Sequence, residues 1–200
     1  KVSGLGGRPY RDGSFEYYMS EPVIVNDAKG VGAFLLASNE MEMLPALSLG
    51  KGKTVTMDNY FNRETMLDAF GNEVVFHYKW HEKDNGGFSF LAHIFNSYGV
   101  ETKLLEEAPN ASNLKNTSIY FLVDPDWPKE NKKPNYIGPK HIDAIYDFVK
   151  NGGVLVMLAN DSNNVEFTNF NKLAERFGIH WDGNMRHDVI NNQFEQGAIL

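Results

Sequence analysis

Two runs of nearly unbroken apolar residues constrain the fold of this chain more than any other feature. They are residues 117–123 (TSIYFLV) and residues 154–159 (VLVMLA). An apolar run of this length is typical of a strand that is buried on both faces. Between the two runs lies a helical pattern that stops at Gly152-Gly153, and its apolar members are Ile142, Ile145, Tyr146 and Val149. A strand, a helix and a second strand in this order predict a parallel sheet.

The same alternation of strand and helix patterns extends over residues 53–200. Further β-type runs occupy residues 53–57, 74–78 and 100–105. Two more helical faces end at Gly99 and Gly178. They consist of Phe88, Leu91, Ile94, Phe95 and Tyr98, and of Phe170, Leu173, Ala174 and Phe177. We therefore predict an α/β domain in which helices cover both faces of a parallel sheet.

Residues 1–52 have a different character and predict a separate unit. Residues 1–30 are rich in loop-forming residues, and a helical stripe then runs from Val31 to Leu44 and ends near Pro45. One helix and one loop cannot bury a core of their own. We interpret residues 1–45 as the tail of another domain, residues 46–52 as a linker and residues 53–200 as the α/β domain. We also expect the natural start to lie upstream and the α/β domain to be incomplete at its C-terminus.

Composition and charge exclude several classes of function. The net charge is -7 and the isoelectric point is about 5.4. Nucleic acids and anionic membranes bind clustered Lys and Arg side chains, so neither is expected as a partner. No apolar stretch has the length of a membrane span. The chain contains no cysteine, which excludes disulfides, thiolate metal ligands and a cysteine nucleophile.

Short motifs indicate neither a metal nor a cofactor. His77 and His81 are four residues apart and would share a face only on a helix, whereas the residues around His77 have a strand pattern. Gly4-Leu5-Gly6-Gly7 has no strand before it and no helix after it, so it does not match a dinucleotide-binding loop. No Gly-x-Ser-x-Gly motif is present, so nucleophilic hydrolysis has no support.

Acidic and amide residues follow three of the predicted strands. Ligands of open α/β sheets bind beyond the carboxyl ends of the strands. The candidate substrate-binding residues there are Asp58, Asp124, Asp126, Asn160 and Asp161. Paired carboxylates suit a hard cation or acid–base chemistry, but the same residue types also cap helices and build turns wherever a strand ends. Tyr60, Trp80 and Trp127 could supply stacking surfaces for a sugar at this edge, or could pack into the core.

Residues 1 to about 44 resemble the carboxyl-terminal end of the unsaturated rhamnogalacturonyl hydrolases, which are six-hairpin α/α barrels. The matching segments are residues 10–18 (YRDGSFEYY), 20–22 (SEP), 26–27 (ND) and 29–37 (KGVGAFLLA). The resemblance implies a periplasmic or secreted parent enzyme that hydrates the double bond of an unsaturated uronic acid on a pectin-derived oligosaccharide. It places a loop near the substrate mouth, with the candidate binding residues Tyr10, Arg11, Asp12 and Ser14. The family's catalytic acid is an Asp on an upstream helix, and no residue of this chain matches it.

Residues 53–200 are similar to the ThuA-like, class I glutamine amidotransferase-like domains that are often appended to such hydrolases in gut and soil Bacteroidetes. The matching segments are residues 122–126 (LVDPD), 142–156 (IDAIYDFVKNGGVLV) and 173–179 (LAERFGI). This resemblance implies a flavodoxin-like sheet. Active amidotransferases need a cysteine with a downstream His and Glu, so the absence of cysteine excludes glutamine hydrolysis.

These observations favour a fragment of a pectin-degrading glycoside hydrolase with an inactive accessory domain for carbohydrate binding or assembly. One alternative is a self-standing sugar-binding protein or small hydrolase whose site is the acidic edge of the sheet. Another is a purely structural domain. The expected partners are a pectin-derived oligosaccharide and a second copy of the chain, bound through the helix of residues 31–44.

Overall fold

The computed structural model describes residues 13–21, 23, 25–160, 162–183, 189–190 and 193–194. The chain divides into two compact units, Lys1–Ser48 and Leu49–Leu200. The boundary lies inside the segment 46–52 that the sequence predicts as a linker. Within the described part of the chain, no helix has the length and apolar composition of a membrane span.

The first unit contains two α-helices and a short 3-10 helix. Helix α1 spans Phe15–Ser20, α2 spans Ala28–Met43, and the 3-10 helix spans Leu44–Ser48. The Asp27 side chain caps α2 by accepting a hydrogen bond of 2.9 Å from the Lys29 amide. The end of α2 at Met43 confirms that the helix stops close to Pro45.

The apolar residues of α2 surround the helix instead of forming the single stripe that the sequence predicts. Phe34, Leu35 and Leu36 are consecutive, so they point in directions about 100° apart, and each is exposed. No residue of α2 is buried. A helix that is apolar on all sides is typical of the interior of a larger helical protein.

The second unit is built on a parallel sheet of four strands. They are β1 (Thr54–Asp58), β4 (Glu101–Leu105), β5 (Ile119–Val123) and β6 (Val154–Leu158), and their spatial order is β4-β1-β5-β6. Val55 of β1 lies opposite Thr102 on one side and Ile119 on the other. After β1 the chain therefore fills one side of that strand with β4 and then crosses to its other side. All four strands lie in segments that the sequence predicts as strands, β5 and β6 in the two apolar runs and β1 and β4 in the β-type runs of residues 53–57 and 100–105.

Three helices cover the two faces of this sheet. They are α3 (Ser89–Ser97), α4 (Pro139–Lys150) and α5 (Phe167–Ala174), the last continued by a 3-10 helix at Glu175–Phe177. Along β5, Tyr120 and Leu122 pack in one core with α4 and α5, whereas Phe121 and Val123 pack in a second core with Ala92 of α3. This alternation confirms the predicted α/β architecture with helices on both faces.

The strand predicted over residues 74–78 is confirmed at residues 74 and 75 and is wrong for residues 76–78. The structure has a shorter strand there, β3 (Glu73–Val75), which pairs antiparallel with β2 (Thr65–Leu67) in a separate two-stranded sheet. The strand stops because His77 and Tyr78 have φ angles of 71° and 52°, which extended backbone does not allow. A second small antiparallel pair joins β7 (Val189–Ile190) and β8 (Gln193–Phe194).

The predicted linker has a defined conformation. The 3-10 helix occupies its first part, and the Gly50 amide donates a hydrogen bond of 2.7 Å to the Tyr98 carbonyl. A Cβ atom at Gly50 would lie 2.6 Å from that oxygen. Gly50 is buried and needs to be glycine because the chain approaches α3 so closely there.

The centre of the sheet should carry most of the stability of the second unit. Leu122 is fully buried, so Leu122→Ala should lower the free energy of unfolding by about 2 to 5 kcal/mol. The matched control is Leu67→Ala, which removes the same atoms from a side chain that is 67% exposed and should cost well under 1 kcal/mol. Urea unfolding followed by circular dichroism measures both values. Equal losses in the two variants would contradict this assignment of the core.

Candidate functional site

The carboxyl ends of β1, β5 and β6 bring together most of the predicted edge residues. Asp58 is the last residue of β1, Asp124 follows β5 directly, and Asn160 lies two residues after β6. The order of the strands reverses between β1 and β5, and such a reversal is where open α/β sheets form a crevice.

Of the other predicted site residues, Ser14 caps α1 in the first unit, where its Oγ accepts a hydrogen bond from the Tyr17 amide. Tyr10, Arg11, Asp12 and Asp161 lie outside the described residues.

Asp58 holds the turn that follows β1. It is 2% exposed, and its Oδ2 accepts hydrogen bonds from three successive backbone amides, those of Tyr60, Phe61 and Asn62. Its Oδ1 accepts the Tyr120 hydroxyl at 2.6 Å. Burial raises the pKa of this carboxyl to about 6, against the opposing effect of these donors. This geometry assigns Asp58 to the support of the edge.

Asp124 connects the ends of three segments. Its Oδ2 accepts the Tyr78 hydroxyl at 2.8 Å, and its Oδ1 accepts the Asn160 amide at 3.1 Å. Its carbonyl oxygen accepts the side-chain amide of Asn62 at 2.6 Å. The φ angle of Asp124 is 35°, a conformation that costs about 1 to 3 kcal/mol in a residue other than glycine. The structure therefore holds this carboxylate in place at the expense of backbone strain.

Asp126 joins two loops and leaves one oxygen without a donor. Its Oδ2 accepts the Arg63 amide and the Asn131 side-chain amide, both at 2.8 Å. Its Oδ1 is buried and receives no hydrogen bond from the described part of the chain, and the same holds for Oδ1 of Asn62. Both residues are 1% exposed. Buried acceptors without a donor are unusual, because each one loses the hydrogen bonds that water would supply.

Glu64, His77 and Tyr78 also lie at this edge, and like Asn62 they were not among the predicted binding residues. Nδ1 of His77 and Oε1 of Glu64 are 3.0 Å apart, and the His77 and Tyr78 rings stack with centroids 4.7 Å apart. A Cβ atom at Gly86 would lie 2.7 Å from Cδ2 of His77, so glycine is needed there to accommodate the imidazole. The sequence singles out the run of residues 77–82, but it contains no signal that pairs Glu64 with it.

The charges of this edge interact with one another. Burial, with a smaller contribution from the Glu64 charge, raises the pKa of Asp126 to about 6, against the opposing effects of its hydrogen bonds from Asn131 and Arg63 and of His77. Burial also raises the pKa of Asp124. The Glu64 charge adds to this rise, and His77 opposes it. The pKa of Tyr78 is raised by burial and by Asp124, so its hydroxyl stays protonated and donates to that carboxylate. Glu64, Asp124 and Asp126 therefore form one electrostatically connected group, which we call the acidic cluster.

The predicted stacking residues have different environments. Trp80 is 7% exposed, packs in the core on the α3 side of the sheet and donates from Nε1 to the Lys103 carbonyl at 2.8 Å. It belongs to the core and offers no surface to a ligand. Tyr60 is partly buried against the opposite core. Trp127 is partly exposed, and the Lys129 ammonium lies 4.1 Å from the centroid of its ring.

The main cavity and the unusual polar groups lie at opposite edges of the sheet. The larger described cavity, about 990 Å³, lies at the amino ends of the strands, and apolar side chains such as Val55, Phe95 and Phe148 line it. Most of the strained and unpaired groups among the described residues lie at the carboxyl edge instead, so the chemistry favours that edge. Within the described residues, no group of three His, Cys, Asp or Glu side chains is arranged to hold a metal ion.

Comparison with known proteins identifies short partial relatives. No family model matches the chain, and no solved structure matches it. Protein Atu3128 of Agrobacterium fabrum and the 24.9 kDa protein in picA locus of Rhizobium radiobacter are each 51% identical to it over 45 residues, or 22% of this chain. The chain spans about a fifth of the length of these curated relatives, with 19% of each covered. Neither printed name states an activity.

The raised pKa of Asp126 predicts a stability that depends on pH. Because its folded-state pKa is about 6 against an ordinary 3.8, the folded state holds the proton more tightly than the unfolded chain does. This stabilisation is fully present below pH 3.8 and is lost as the pH rises through 6. Asp126→Asn lacks the titration, so between pH 4 and pH 8 the variant should gain about 2 to 3 kcal/mol relative to the wild type.

Urea unfolding at a series of pH values measures this difference. The control is Asp143→Asn, which changes an exposed carboxyl 3.5 Å from the Arg176 guanidinium. Its difference from the wild type should vary by less than about 1 kcal/mol over the same range. A difference between the wild type and Asp126→Asn that stays constant from pH 4 to pH 8 would show that this carboxyl does not titrate as described.

Proposed function

We propose that residues 49–200 form a noncatalytic accessory domain that binds carbohydrate at the carboxyl edge of its sheet. The observation that carries this proposal is the pair of buried, unpaired acceptors, Oδ1 of Asp126 and Oδ1 of Asn62, at the point where the strand order reverses. Sugar hydroxyls are donors of the kind these oxygens lack. The strained Asp124 and the partly exposed Glu64, His77 and Trp127 add polar and aromatic groups, and this combination is common in ligand sites.

The finer fold assignment belongs to the same proposal. Numbered by their appearance along the chain, the parallel strands have the spatial order 2-1-3-4. This is the beginning of the flavodoxin-like order 2-1-3-4-5, whose ligand site lies between strands 1 and 3. Here those strands are β1 and β5, and Asp58 and Asp124 stand at their ends. The order supports the proposed likeness to ThuA-like, amidotransferase-like domains, and the absence of cysteine supports an inactive one.

We further propose that the first unit is the end of an α/α barrel, and that the complete protein is a periplasmic or secreted hydrolase of the unsaturated rhamnogalacturonyl type. The support is the helix α2, which is apolar on all sides and has no buried residue, as expected of a helix that belongs inside a larger helical domain. The same exposed residues would favour association with a second copy of the chain.

A hydrolase site at the acidic edge is the second candidate function. The observation that favours it is the pair of Glu64 and His77, because a carboxylate that orients an imidazole is a common arrangement in general base catalysis. Turnover of any glycoside by the chain, lost in His77→Gln and retained in Asp143→Asn, would favour this candidate over a binding domain.

Isothermal titration of the 200-residue chain with rhamnogalacturonan oligosaccharides tests the binding proposal. Asp126→Asn retains the shape of the side chain but puts an amide donor in place of Oδ1, because Oδ2 must stay an acceptor for Arg63 and Asn131, so it should weaken binding about 10- to 100-fold. Asp143→Asn should bind like the wild type. The proposal fails if the wild type binds none of these sugars at millimolar concentration, or if Asp126→Asn binds as tightly as the control while remaining folded.

We also expect the chain alone to lack the hydration activity of the proposed parent. Without a positioned proton donor, general acid catalysis loses roughly 100- to 10,000-fold. The loss of ultraviolet absorbance of an unsaturated rhamnogalacturonan disaccharide measures the reaction. Turnover within a few-fold of an intact family member would contradict this expectation.

A further inference from the structure

The larger described cavity lies at the edge of the sheet opposite to the candidate site. Its walls are formed by α3, α4 and the loop of residues 106–118, and its floor by the first residues of β1, β5 and β6. We call this space the amino-edge cavity. Its volume of about 990 Å³ is at the upper end of the range found for small-molecule sites.

Two close approaches of the backbone fix the walls of the amino-edge cavity. A Cβ atom at Gly153 would lie 2.3 Å from the ring of Phe148, and a Cβ atom at Gly50 would lie 2.3 Å from Cγ2 of Val100. All four residues line the cavity. Phe148 and Val100 are therefore held against backbone on the side away from the cavity, so the space between them is preformed, as is usual for ligand sites.

The side chains that line the cavity are mainly apolar, and several are open to water. Ile94 and Tyr98 of α3 are 39% and 43% exposed, and Val154 of β6 is 51% exposed. Val154 begins a strand that is apolar at every position, which is typical of a strand that is covered on both faces. An apolar ligand that covered these side chains would gain about 25 cal/mol for each Å² removed from water.

Backbone carbonyls at the two helix ends that reach the cavity already have donors. The Phe148 carbonyl of α4 accepts the Gly153 amide at 3.0 Å, and the Tyr98 carbonyl after α3 accepts the Gly50 amide at 2.7 Å. A ligand therefore does not need to supply donors to these groups. The recognition of a polar group on the ligand depends on the charged side chains of the lining.

Those charged side chains leave one positive charge in excess, since they are Lys53, Lys115 and Asp147. All three are exposed, so they lie where the cavity meets water. Neither Lys53 nor Lys115 forms an ion pair with a carboxylate of the described residues, whereas Lys103 lies 3.7 Å from Glu101. In a chain with a net charge of -7, this mouth is a local site for an anionic group.

From the apolar walls and the charge of the mouth together, we propose that the amino-edge cavity binds an amphipathic carboxylate, a molecule with an aliphatic body and one anionic head, such as a medium-chain fatty acid. The body lies against Ile94, Phe148 and Val154, and the carboxylate meets Lys53 and Lys115. This site is separate from the proposed carbohydrate site, so one sheet would hold a different class of ligand at each edge.

The test compares two ligands that have the same apolar chain and opposite head charges, decanoate and decyltrimethylammonium, both below their micelle concentrations. In titration calorimetry, the 200-residue chain should bind decanoate at least about fivefold more tightly than the cation. The net charge of -7 would produce the opposite preference if binding were nonspecific. Equal or tighter binding of the cation, or no binding of decanoate at millimolar concentration, overturns the proposal.

Two sets of variants locate the head and the body of the ligand. Lys53→Gln combined with Lys115→Gln should weaken decanoate binding about three- to tenfold, whereas Lys103→Gln, which changes the lysine beside Glu101, should leave it unchanged. Ile94→Asp places a carboxylate in the lining and should weaken decanoate binding at least about tenfold. Leu67→Asp adds the same charge at an exposed side chain outside the lining and should have no effect.

Circular dichroism establishes that each variant is folded. Decanoate binding that survives both the lysine pair and Ile94→Asp would place the ligand elsewhere and overturn the proposal. Sedimentation of the chain without ligand tests a different occupant of the cavity. If the wild type is a dimer that does not bind decanoate, and Ile94→Asp is a monomer, a second copy of the chain covers the cavity and the proposal is wrong.

Discussion

The arrangement of the carboxyl edge depends on the buried hydrogen bond between Asp58 and Tyr120. Asp58 ends β1 and Tyr120 lies in β5, so this bond of 2.6 Å joins the two central strands at the point where the strand order reverses. The other oxygen of Asp58 accepts three backbone amides of the turn that follows. A carboxylate is well suited to this position, because a single group can satisfy four donors that would otherwise be buried without partners.

The turn that Asp58 holds determines the position of the residues that follow it. Asn62 and Arg63 leave the turn side by side, one directed to the Asp124 carbonyl and the other to the Asp126 carboxylate. Glu64 then reaches His77, which returns from the small antiparallel sheet. The strained backbone at His77, Tyr78 and Asp124 is tolerated because this network fixes each of them from more than one side. The candidate site is thus a consequence of the turn after β1.

The sequence predicted the strands of the main sheet because their signal is local. Residues 119–123 and 154–158 are apolar at every position, and this pattern needs no knowledge of the rest of the chain. The error at residues 76–78 has the opposite cause. His77 and Tyr78 have the composition of a strand, but their contacts with Glu64 and Asp124, 13 and 46 residues away, hold them in a left-handed conformation. Local propensity cannot show such a contact.

The candidate site was predictable to the extent that topology determines it. Asp58, Asp124 and Asn160 follow parallel strands, so their approach follows from the strand pattern alone. Their roles did not follow, since nothing in the sequence shows that Asp58 is enclosed by four donors while Asp126 keeps an unpaired oxygen. A purely structural carboxyl would gain from having every donor supplied, as Asp58 does. Both carboxyls are buried and have a pKa raised to about 6, but only Asp126 also keeps an unsatisfied acceptor, which costs the folded chain further stability. A buried group that lowers stability in this way is expected where a residue binds a ligand. The contrast between Asp58 and Asp126 is therefore the strongest physical reason to locate the function at this edge.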